Sequence, residues 1–400
     1  MKYTKRITAL LLTLVLCFGL TACGKDPSGS AKGIWVGANE YEGTFSDQGY
    51  YYVPSNQQGP TLSYLDISTG TSVILCTKAG CQHTSEYCEA YFPPDFFYHS
   101  GGICFWDGSL YYIDSGTTFE LVRCNATGTE RAVIGTLGDQ YIEDKKWVNP
   151  KSFARFENFW YYCAEIKGSV WDEATQQRTT KRVLDYIGRI DLRTGKEEIL
   201  IEDRDNTLDL HAVKNDALVF SARGIPDADI QDRDAYREQL KNLPFVFQRW
   251  DAQTGQVSTL FEKYNCGVKG VYDDKLYYNG KVNDILNQYT YDLNTGEDTL
   301  FAEQTSMWFW GGGYARCKDS VVNENWYILE LKSEKKLPID IEGSLGFKCG
   351  SNQGCILQQS VKPADGGPTE HRVYYVPYTA LADGLQEADL MHVYTWRNSM

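Results

Sequence analysis

The stretch 273–301, DDKLYYNGKVNDILNQYTYDLNTGEDTLF, constrains this chain more than any other. A polar turn, Asp273-Asp274-Lys275, leads into the β-favouring Leu276-Tyr277-Tyr278. A second run, Gln288-Tyr289-Thr290-Tyr291, alternates polar and aromatic side chains. Asp292-Leu293-Asn294-Thr295-Gly296 follows, and a short strand ends in Leu300-Phe301. Alternation with period two is the strand signature, and Asp or Asn followed by Thr-Gly marks a tight turn. Gly296 is expected to supply the positive φ of that turn, and Asp292 to accept backbone N–H groups at its mouth. One such unit cannot bury both faces of its sheet, so it must stack on copies of itself.

The copies are present. The turn recurs at Asp66, Asp191 and Asp251, and as Asn125-Ala126-Thr127-Gly128. Aromatic strand runs precede it at Tyr50-Tyr51-Tyr52, Leu110-Tyr111-Tyr112 and Phe159-Trp160-Tyr161-Tyr162. Two weaker units lack the turn, one around Trp326-Tyr327-Ile328-Leu329 and one around Val373-Tyr374-Tyr375-Val376. The turn aspartate steps from 191 to 251 to 292, or 60 and then 41 residues. Such periods suit a four-stranded propeller blade with variable loops. The expected fold is all-β: a β-propeller of seven blades, with six or eight as neighbouring solutions, over 34–400. A pair of β-sandwiches is the second solution. Three segments interrupt the pattern. They are 138–158, charged and turn-rich; 168–183, polar; and 226–243, which reads as a short helical insertion starting at Pro226 and Asp227.

The N-terminus reads as an address. Lys2, Lys5 and Arg6 precede an apolar run, 7–20, too short for a permanent span. Leu20-Thr21-Ala22-Cys23-Gly24 then resembles the bacterial lipobox, in which the cysteine is acylated and becomes the first residue of the mature protein. An ordinary secretory signal with an incidental cysteine is the plainer alternative. The expected layout is a lipoprotein signal peptide at 1–22, lipidated Cys23 with a tether to 33, then the propeller. Buried acyl chains contribute roughly 0.8 kcal/mol per methylene, so several chains anchor stably. Removing 1–22 takes the formal net charge from −14 to −17, which argues against nucleic acid as a partner.

Together, the Leu-Tyr-Tyr runs and Asp-x-x-Thr-Gly turns resemble those of bacterial secreted and lipid-anchored β-propellers of the TolB-like or low-density-lipoprotein-receptor-like type, many of unknown function. The resemblance spans roughly residues 33 to 381 and implies a fold, not an activity, because propellers host many functions.

Twelve cysteines less Cys17 and Cys23 leave ten, an even number that permits full pairing. The densest group is LCTKAGCQHTSEYC, with Cys76, Cys81, His83 and Cys88. Three thiolates and an imidazole would make a structural Cys3His zinc site; export makes a disulfide staple the leading alternative, with free thiols the third. Cys349 and Cys355 flank a turn and are candidates to close a hairpin. Trp308, Trp310 and Tyr314, beside Gly311-Gly312-Gly313, are candidate ligand-binding aromatics; packing between blades is the plainer reading. Nucleophile-elbow, zincin and P-loop motifs are absent from the sequence. His99, His211, His371 and His392 have no recognisable nucleophile partner.

These features lead to a membrane-anchored extracytoplasmic lipoprotein at the bacterial cell membrane, whose propeller is a non-catalytic module for a protein or glycan ligand. The rival is a cell-envelope glycan-active hydrolase or lyase with paired carboxylates at the propeller centre.

Overall fold

A computed structural model describes residues 36–37, 43–54, 60–85, 87–92, 102–115, 119–142, 146–173, 176–214, 217–226, 232–282, 285–319, 326–341, 344–351, 353–362 and 367–397. The signal, Cys23, the tether and His99 lie outside them. Seven sheets make a seven-bladed β-propeller; each has four antiparallel strands taken in chain order, and two gain a short extra strand, Val36–Gly37 antiparallel in blade 4 and Leu385–Gln386 parallel to Lys335–Asp340 in blade 6. First strands of most neighbouring blades approach one another, and those of blades 1 and 7 close the ring. Among the described residues, no strand is exchanged between the chain ends to seal that seam. Side chains seal it instead: Tyr52 stacks on Tyr394 at 5.1 Å, and the Cys349 thiol donates to the Tyr50 hydroxyl at 3.3 Å. The seams between blades are aromatic and buried, with Trp160, Tyr162, Tyr186, Phe247 and Tyr278 each almost fully enclosed. This is why the chain carries so many tyrosines: a large ring fills the wedge between twisted sheets while its hydroxyl finds a polar partner.

The strand expectations hold with one refinement. The repeat read from the sequence covers the second, third and fourth strands of a blade. In blade 5 these are Lys275–Val282, Ile285–Asp292 and Asp298–Ala302, and an inner strand, Cys266–Tyr272, precedes them. Asp292 Oδ1 accepts from the N–H of Asn294 at 2.9 Å and Thr295 at 2.8 Å, and Gly296 has φ 77°. Asp66, Asp191 and Asp251 cap their turns in the same way.

Two of the interruptions are strands. Lys146–Phe156 is the inner strand of blade 3, disguised by its charges and by Pro150, which sits at a bulge. The 168–183 segment extends the middle hairpin of that blade, Phe159–Asp172 and Gln177–Asp191. The helix α1 spans Arg233–Lys241, later than Pro226, because the Asp232 side chain accepts from the Ala235 N–H at 3.1 Å and so fixes the first turn.

An antiparallel four-stranded meander puts its first and third turns at one end and its second turn and exit at the other. The ring therefore has two unlike faces. On the turn face, first and second strands are joined by only two or three residues, and most third-to-fourth turns are the capped aspartate type. The longest connections, 75–102 and 225–244, emerge on the other, insertion face, together with the tip of the blade 3 hairpin. The strand Val36–Gly37 pairs antiparallel with the inner strand of blade 4, Asn206–Lys214, through Val36 to Val213 and Gly37 to Ala212. It also lies close to the inner strands of blades 3 and 5, so this piece of chain runs along the central channel.

Candidate functional site

The connection from blade 1 to blade 2 is folded by its own polar contacts. Leu62 N–H reaches Ala90 O at 2.7 Å, and Phe92 N–H reaches Pro60 O at 2.9 Å. The Glu89 carboxylate accepts from the Thr77 hydroxyl at 2.7 Å and from its N–H at 3.2 Å. Lys78 Nζ donates to Tyr87 O at 2.6 Å. Arg131, on the neighbouring blade, donates to Glu89 O at 2.6 Å and Tyr91 O at 3.1 Å while lying over the Phe92 ring at 4.7 Å.

These contacts bring Cys76, Cys81, His83 and Cys88 together. Their four ligand atoms all lie within 4.8 Å of one another. His83 Nδ1 is 3.3 Å from Cys88 Sγ. Cys81 is turned inward by a bend closed by its own N–H to Lys78 O at 3.2 Å, with Gly80 at φ 72°. His83 sits in the left-handed region at φ 57°. Cys88 is buried, and the other three are half-buried against the apolar seam between blades 1 and 2. Burial pushes the Cys88 thiol up to about 11. At Cys76 burial also acts upward, but the Lys78 N–H and the thiols of Cys88 and Cys81 outweigh it and hold the group below its ordinary value.

No two sulfurs of the described residues stand at disulfide distance. All ten cysteines from Cys76 to Cys355 are free, the four-residue cluster included. Cys349 and Cys355 do not close their hairpin: they stand on adjacent strands out of direct register, Cys349 opposite Ile356 and Cys355 opposite Gly350. Cys349 turns instead to Tyr50, and Cys355 is fully buried in the seam between blades 6 and 7. Buried thiols here act as small apolar groups.

The glycine-flanked aromatics separate. Trp310 is fully buried between blades 6 and 7 and reaches no surface. Tyr314 stacks on Tyr378 at 5.4 Å. The glycines serve a turn, since a Cβ on Gly312 would lie 2.0 Å from the Tyr378 ring. Only Trp308 is exposed, at 46%, packed edge-on against Trp326 at 4.9 Å. Sequence reading missed its neighbours. Arg316 lies 3.7 Å from the Trp326 ring centre, and Lys269 Nζ is 5.8 Å from that of Trp308. Burial lowers both cations, Arg316 to about 10. They come from different blades, so no local spacing announces them.

Asp185 is a structural carboxylate. It is saturated by Lys151, by Arg182 Nε at 2.7 Å and by the Leu208 N–H at 2.8 Å, which ties blade 3 to blade 4. His211 donates to or accepts from Ser221 at 2.8 Å, and burial lowers it to about 4. His371 stacks on Trp396 at 4.0 Å, and His392 faces Thr395 at 2.9 Å.

No family model matches the chain, and neither does any curated protein. Solved structures do resemble it. An oligogalacturonate lyase from Vibrio parahaemolyticus is 11% identical at a TM-score of 0.49, over 83% of this chain and 92% of that one. An oligogalacturonate lyase in complex with manganese is 12% identical at 0.45, over 88% and 99%. TolB from Acinetobacter baumannii is 11% identical at 0.33, over 87% and 81%. Likeness at this level extends no further than the ring of blades, and the propeller assignment stands on the blade topology of this chain itself.

Proposed function

We propose that this protein is a lipid-anchored, extracytoplasmic, non-catalytic binding module whose insertion face is turned away from the membrane. The observation that carries the reading is the direction of the strand Val36–Gly37. The inner strand of blade 4 runs toward the turn face and ends at Lys214, and Val36 pairs next to that end, at Val213. Val36, the end of this strand nearer to Cys23 in sequence, therefore lies on the side of the turn face. A lipid on Cys23 would draw that face toward the bilayer and present the 75–102 and 225–244 connections outward. The partner is a protein or glycan. Exposed Trp308, packed on half-buried Trp326 with Lys269 beside it and Arg316 buried beneath on an otherwise acidic chain, is the part of the surface best suited to stack against an anionic or planar group.

The test has two arms. Cys23→Ala is expected to move the protein from the membrane to the soluble fraction; retention in the membrane ends the anchor reading. Photo-crosslinking side chains at Tyr87 and Trp308 are compared with the same groups at Thr194 and Gln253 on the turn face. Envelope protein or glycan adducts are expected from the first pair only. Equal or reversed yields overturn the orientation.

A further inference from the structure

We infer that Cys76, Cys81, His83 and Cys88 form a structural zinc site that clasps the connection between blades 1 and 2. Three soft thiolates and one imidazole are the donor set of a closed tetrahedral zinc centre. With Zn–S near 2.3 Å and Zn–N near 2.0 Å, donor atoms in such a centre stand about 3.5–3.8 Å apart. The four donors here already lie within 4.8 Å of one another, with His83 Nδ1 and Cys88 Sγ at 3.3 Å. The metal needs side-chain shifts only, because the backbone has made the site.

The loop that carries the donors is itself held in shape by polar contacts: Glu89 accepts from Thr77, Lys78 Nζ donates to Tyr87 O, and Arg131 donates to Glu89 O and Tyr91 O. Four protein ligands leave no open position for substrate, so the ion acts through structure. On binding, each thiol releases its proton to solvent and the sulfur lone pair goes to Zn2+; nothing is oxidised. Three thiolates and one divalent cation leave the centre with one negative charge, and Lys78 and Arg131 hold the loop around it.

The site explains how this segment stays ordered. Among its described residues the connection buries few large side chains beyond Phe92, and Tyr87 stands 79% exposed. A metal cross-link would supply what the small core does not. It does not depend on the lipid anchor or on a partner.

The full chain, purified without chelator under nitrogen, is assayed for zinc by elemental mass spectrometry and then loaded with Co2+ alone. The expected result is one zinc per chain, and for the cobalt form a sulfur-to-metal charge-transfer band with intense visible bands of tetrahedral symmetry. Cys81→Ser and His83→Ala are expected to lose the zinc, whereas Cys266→Ser, a half-buried thiol on blade 5, retains it. His83→Cys rebuilds a four-sulfur set and is expected to keep the metal with a red-shifted cobalt spectrum. It keeps the test decisive if the serine variant does not fold. A metal-free chain with no cobalt charge-transfer band overturns the inference, as does an intact mass short by the hydrogens of a Cys76, Cys81 or Cys88 disulfide.

Discussion

The two faces of the ring are built by different rules. On the turn face, order is local: an aspartate or asparagine accepts N–H groups from residues two and three or four places on, and a glycine takes the positive φ. The same device is repeated in five of the seven blades. On the insertion face, order is long-range. The 75–102 connection is held by Arg131 across 40 and 42 residues and by donors gathered from four positions. The 225–244 connection is held by Arg223, which donates to Leu243 O at 3.3 Å and to Leu240 O. Local devices can be copied without changing the ring. Long-range ones are particular to each insertion, which is where a propeller acquires recognition.

The comparison breaks first where a turn is not local. Gly195 and Gly255 occupy the same place in their turns, with φ 70° and 67°. A Cβ on Gly255 meets nothing within 4 Å, whereas one on Gly195 would lie 1.7 Å from Ile134 O of blade 2. Gly255→Ala should cost about 1 kcal/mol, the left-handed penalty alone. Gly195→Ala should cost about 3 kcal/mol or more, because the two blades must part. Equal losses in urea unfolding would show that the contact with blade 2 contributes nothing.

Glu197 sharpens the same point with pH. It follows that turn and accepts from the Gly138 N–H at 2.7 Å and from the Tyr162 hydroxyl. Burial, with Asp139 adding to it, raises its carboxyl to about 7 against the opposing Gly138 bond. A raised folded-state value stabilises fully below the unfolded pKa and is lost as pH rises through 7. Glu197→Gln should flatten that decline and leave the variant more stable than wild type above pH 7, by about 2 kcal/mol. Parallel pH profiles of melting temperature for the two proteins would refute the assignment.

The smallest effect belongs to the local device itself. Thr295 and Asn294 N–H groups hold Asp292 below the usual carboxylate range. Its stabilisation is present above that range and lost as pH falls through the depressed value. Asp292→Ala should cost about 1 kcal/mol or less at neutral pH, with Asn retaining most of it. A loss comparable with that of Gly195→Ala would mean that the turn organises more than itself.

The propeller was legible because its signals are short-range. Period-two alternation and an Asx-capped turn each need fewer than ten residues, and Asp66, Asp191, Asp251 and Asp292 all perform the predicted task. The inner strand Lys146–Phe156 was missed because a channel wall does not demand alternation, and Pro150 masks the strand at a bulge. The Cys76–Cys88 group was visible as a cluster, yet its spacing could not tell a disulfide from a metal, since both ask only that sulfurs meet. The cationic neighbours of Trp308 left no mark, because Lys269 and Arg316 are 47 positions apart.

The sequence by itself determined the strand unit, its turn chemistry and its repetition, since those depend on contacts between near neighbours in the chain. Tertiary structure decided the blade count, the free state of the cysteines and the passage of Val36–Gly37 along blade 4. Each of these depends on how twisted sheets pack round a common axis, a geometry that no single repeat contains.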